Sequence, residues 1–101
     1  MIHKLIKIQQ FTKDGLELIQ TLQKQGCNYA ILDEMKSILN FAKDRKFESC
    51  SIKIRFFLKH WEHFYEMPWR TEQINSLFEG IKLLLNTIKL YELEDDFSFP
   101  F

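Results

Sequence analysis

A chain of 101 residues is the size of one domain with one hydrophobic core, and 46% apolar with 28% charged residues is a globular balance, not a disordered one. Three glycines and two prolines are too few for the many turns of an all-β protein. A net charge of zero argues against a dedicated nucleic-acid or anionic-membrane binder, although residues 1–60 carry +5 and residues 61–101 carry −5.

The opening MIHKLIKIQQF alternates lysines with single apolar residues and lacks the apolar run of a signal peptide. Leu5, Ile8, Ile19 and Leu22 share one helical face, which predicts a helix over 3–25 with room for a kink at Gly15. Thr12-Lys13-Asp14-Gly15 offers the alternative of a start at 13, with Phe11 and Leu16 as a hydrophobic staple. After Gly26, the residues Ile31, Leu32, Met35, Ile38, Leu39 and Ala42 predict a second helix over 28–46. Asn28 can cap its start, and Lys43, Arg45 and Lys46 suit its C-terminal dipole.

The Phe47–Ser51 stretch is the next weak point, and a third helix is predicted over 51–67. Ile54, Phe57, Leu58, Trp61, Phe64 and Tyr65 form one apolar face of it; Phe56, His60, His63 and Met67 form a second, roughly opposite. Such a helix is either the centre of the domain or shared between core and interface, and the expectation is that it is the most buried element, with Trp61 more than three-quarters buried. A fourth helix over 71–93 follows from Ile74, Leu77, Phe78, Ile81, Leu84, Leu85 and Ile88, capped by Thr71 with Glu72 in the first turn. Four helices of similar length with short connections predict an all-α, single-domain up-and-down four-helix bundle over 1–101, with a short aromatic tail at 94–101.

The segment FFLKHWEHFYEMPW, residues 56–69, is where chemistry would be sought. His60 and His63 have the spacing of paired metal ligands, but a zinc site needs a third and usually a fourth ligand. Glu62 and Glu66 lie on a different strip of the helix, and Cys50 is about 15 Å away along it. Cys27 and Cys50 bracket the second helix roughly 30 Å apart, too far for a disulfide. No metal and no cofactor are expected, since no Gly-rich phosphate loop or cysteine attachment motif is present. Nor is there a nucleophile–base arrangement, so no catalytic residue is assigned and the chain is expected not to be an enzyme.

Arg55-Phe-Phe-Leu-Lys-His60 has an Arg-x4-His spacing that resembles the motif of the HEPN family of small all-helical ribonucleases. That resemblance implies an arginine stabilising charge and a histidine moving a proton at a scissile phosphate. Phe56 stands where the family has a polar residue, and on a straight helix Arg55 and His60 point about 140° apart.

Partner binding is the reading carried forward. ELEDDFSFPF places Glu92, Glu94, Asp95 and Asp96 beside Phe97 and Phe99; four acids at a helix C-terminus oppose its dipole with no evident structural return. The strip is expected to be extended, and either folds back onto Leu83 and Leu90 or forms an acidic, aromatic docking surface for a basic partner protein. A basic toxin is the candidate partner, and helical bacteriocin-immunity proteins are similar in size and architecture. The alternative is a homodimer through the second face of the third helix. No membrane partner is expected, nucleic acid is disfavoured, and reduced cysteines without a signal peptide predict a cytoplasmic protein.

Overall fold

The computed structural model describes residues 2–61, 63 and 71–97, with side chains described for 3–61, 63 and 71–91. It is an all-α four-helix bundle: α1 Ile2–Lys24, α2 Ala30–Lys43, α3 Phe47–Trp61 and α4 Glu72–Phe97. Each helix packs on the next in sequence, α4 closes against α1, and α2 also reaches across to α4. This is the up-and-down arrangement that short connections impose.

α1 is one uninterrupted helix, and Gly15 lies inside it at its contact with α2. A Cβ at Gly15 would sit 2.7 Å from Cδ1 of Leu39, so the missing side chain is what lets the two helices approach. Gly26 then ends α1 at φ +95. Its N–H donates to the Gln23 carbonyl, and the Cys27 N–H donates to the Leu22 carbonyl, which is the Schellman pattern.

The second connection repeats that device without glycine. Arg45 adopts the left-handed conformation at φ 58, with its N–H on the Ala42 carbonyl and the Lys46 N–H on the Phe41 carbonyl. The turn is complete within three residues, so α3 starts at Phe47, four residues before the expected 51. α2 in turn is shorter than 28–46. Tyr29, not Asn28, occupies its N-cap position and makes no side-chain cap bond. The Thr71 cap is present as expected: its hydroxyl oxygen accepts the Ile74 N–H at 3.3 Å.

Every residue of the expected α2 and α4 stripes is buried, and Ile8, Ile19 and Leu22 of α1 join them. Among the described residues the third helix is not the most buried element, contrary to expectation. α2 and α4 each touch all three other helices and bury six and seven core side chains, whereas α3 touches those two and buries Cys50, Ser51, Ile54 and Phe57. Trp61 packs against the core and is mostly but not fully buried, and its indole N–H donates to the Glu34 carboxylate of α2. Phe64, Tyr65, Glu66 and Met67 lie outside the described residues. Aromatic contacts among the described residues tie α3 to α4: Phe57 on Phe78 at 5.3 Å, and Phe47 edge-on to Tyr91 at 5.5 Å.

Candidate protein-docking surface

Arg55 and His60 are both exposed on the single continuous helix α3, so helical geometry turns them about 140° apart and does not bring them to one point within the chain. His60 packs edge-on against Trp61 at 4.8 Å. Among the described residues, no group of three or more His, Cys, Asp or Glu side chains is placed to hold a metal ion. Both cysteines are free thiols. Cys50 lies against the Ile38 carbonyl at 3.5 Å, which puts it roughly 15 Å from Cys27 along α2, half the separation expected. Burial raises the Cys50 thiol from 9.0 to about 11 and makes it a poor nucleophile.

The acidic segment is not an extended strip as far as Phe97. α4 continues as helix through Glu92, Glu94, Asp95, Asp96 and Phe97, with no basic residue in its last turn. A helix cannot fold back on itself, so residues 94–97 do not cover Leu83 and Leu90. Those leucines are 65% and 51% exposed. Seven residues apart, they form an outward stripe on the side of α4 away from the core. The side chains of 92–97, and Phe99 altogether, lie outside the described residues.

The Phe47–Tyr91 contact fixes the surroundings of that helix end. Tyr91 stands level with the start of α3, so the six residues from Glu92 to Phe97 rise about 9 Å past it. The α2–α3 connection at the same end carries exposed Lys43, Arg45 and Lys46. The two oppositely charged halves of the sequence therefore meet there. The helical segment that carries Glu92, Glu94, Asp95 and Asp96 thus runs past the end of the bundle that holds this basic connection.

A second outward patch was only half anticipated. Phe56 is 69% exposed and Ile52, one turn before it, is 48% exposed; with Arg55 and Lys59 they line a shallow depression of about 240 Å³. His60 and His63 are exposed beside it, whereas Ile52 had not been assigned to this face. The four-residue spacing of Ile52 and Phe56, both inside the helix expected over 51–67, was the available signal.

No helix among the described residues is long and apolar enough to cross a membrane. No family model, curated protein or solved structure matches the chain.

Proposed function

We propose that the protein is a non-enzymatic protein-binding module, an immunity- or antitoxin-type inhibitor that neutralises a basic toxin. The observation that supports this reading is the outer side of α4. Exposed Leu83 and Leu90 lead along one helix to four carboxylates on turns that project past the bundle. An apolar stripe supplies desolvated contact, and the projecting charge attracts a basic partner before contact is made. In the sequence, Phe97 and Phe99 follow these acids and belong to the same proposed binding segment. A cytoplasmic site of action, with Cys27 and Cys50 reduced, belongs to the same proposal.

The test is a titration of the purified protein against the product of the adjoining gene, read by calorimetry and by that product's activity. A one-to-one complex that abolishes the activity, and that weakens when Leu83 and Leu90 are both replaced by aspartate, supports the reading. Failure to bind, together with cleavage of RNA by the purified protein that is lost in Arg55→Ala and His60→Ala, would replace it with a HEPN-like ribonuclease.

A further inference from the structure

The outer face of α3 is complementary to itself. At 100° per residue, Glu48, Ile52, Phe56 and Lys59 fall within a stripe about 80° wide, on the side opposite buried Ile54 and Phe57. All four are exposed, and they run in the order acid, apolar, apolar, base. From this order we infer that α3 of one copy packs antiparallel on α3 of a second copy, forming a two-fold symmetric dimer.

Antiparallel packing with Ile52 opposite Phe56 repeats the apolar contact on both sides of the axis. It also brings Glu48 of each copy to Lys59 of the other, within one residue of exact register. A parallel arrangement would stack Glu48 on Glu48 and Lys59 on Lys59, and is disfavoured by like-charge repulsion. The contact is isologous and closes at two copies, so it does not propagate into a filament. It removes from water the largest exposed aromatic among the described residues, Phe56. Arg55 is the one unfavourable member: it flanks the axis close to its own symmetry mate at the solvent edge, where its long side chain turns to water and salt screens it. The surface is separate from the outer side of α4, so the dimer neither requires nor excludes the inhibitor reading.

The experiment is sedimentation of the full chain at concentrations up to about 200 µM, a range that brackets the micromolar affinity of a contact at the small end of stable interfaces. The mass should rise from 12.3 kDa toward twice that value. Phe56→Glu should weaken the dimer about tenfold or more with unchanged helicity, because its side chain supports no core contact. Glu48→Lys and Lys59→Glu should each weaken it, by about threefold or more, and the double exchange in one chain should restore it. Arg55→Gln should tighten it. Restoration by the double exchange requires the same face on both sides of the contact, which a different partner protein would not provide. A mass that stays at one chain throughout, a dimer indifferent to Phe56→Glu, or a double exchange no better than the single ones would overturn the inference.

Discussion

Phe11 of α1 lies across Gly80 of α4 so closely that a methyl group at Gly80 would sit 2.4 Å from ring carbon Cε1. Alanine in place of a mid-helix glycine ordinarily favours the helix by up to about 1 kcal/mol. Here the overpacking, about 1–3 kcal/mol, opposes and exceeds it. Gly80→Ala should therefore destabilise the protein in urea unfolding. In a Phe11→Leu background the same substitution should be neutral or stabilising. Equal effects in both backgrounds would show that the ring is not what the glycine accommodates.

Arg45 holds the left-handed position that ends α2, at φ 58, where a Cβ crowds the following carbonyl oxygen. Stability at this position should rank Gly above Arg above Val, with the extremes about 2 kcal/mol apart, since β-branching worsens the crowding and glycine removes it. The gain from Arg45→Gly itself should be about 0.5 kcal/mol, because the variant also loses a favourable charge at the helix C-terminus. Thermal unfolding of the three proteins checks the order.

Cys50 should make stability depend on alkaline pH. Burial, largest among the causes, raises its thiol from 9.0 to about 11 in the folded state. A raised folded-state value contributes stability that is fully present below pH 9 and is lost as pH rises toward 11, because only the unfolded chain ionises in that window. Cys50→Ala should lose that part of the slope while lowering stability uniformly through lost packing. Thiol labelling supplies a second reading: half-buried Cys27 should react well before Cys50.

The α2 and α4 core faces were legible because spacing by three and four residues is a local property, and a neighbour must cover such a stripe whatever the topology. Centrality is not local. Aromatic density pointed to α3, yet among the described residues it is α2 and α4 that each contact all three other helices, a fact of the arrangement that no single helix encodes. Arg45 hid the second turn for a related reason: a glycine there would have marked the end of α2, and an arginine in left-handed conformation marks nothing. The segment 94–97 was expected to be extended from its alternating phenylalanines, whereas α4 continues as helix through it. The basic connection at residues 43–46 is some fifty positions away in sequence and shares an end of the bundle with this helix only once α3 and α4 are antiparallel.

The last two turns of α4 should be separable from the fold. Among the described side chains of α4, Ile88 is the last that is fully buried, and Tyr91 is the last packed against the core, on Phe47. Truncation after Leu93 keeps both, so the shortened protein should retain its helicity and lose no more than about 1 kcal/mol in urea unfolding. Truncation after Ile88 also removes the Phe47–Tyr91 contact and should cost more, about 2 kcal/mol. The shorter cut thus isolates the projecting end for binding measurements. If that end attracts a basic toxin, removing Glu94, Asp95 and Asp96, with Glu92 changed to Gln, should lower the association rate and flatten its salt dependence. Replacing only Phe97 and Phe99 with alanine in the full-length chain should instead raise the dissociation rate, because desolvated apolar anchors act after encounter. Unchanged affinity in the folded, shortened protein would move the docking surface off the end of α4, whereas loss of the fold would identify residues 94–101 as part of the core.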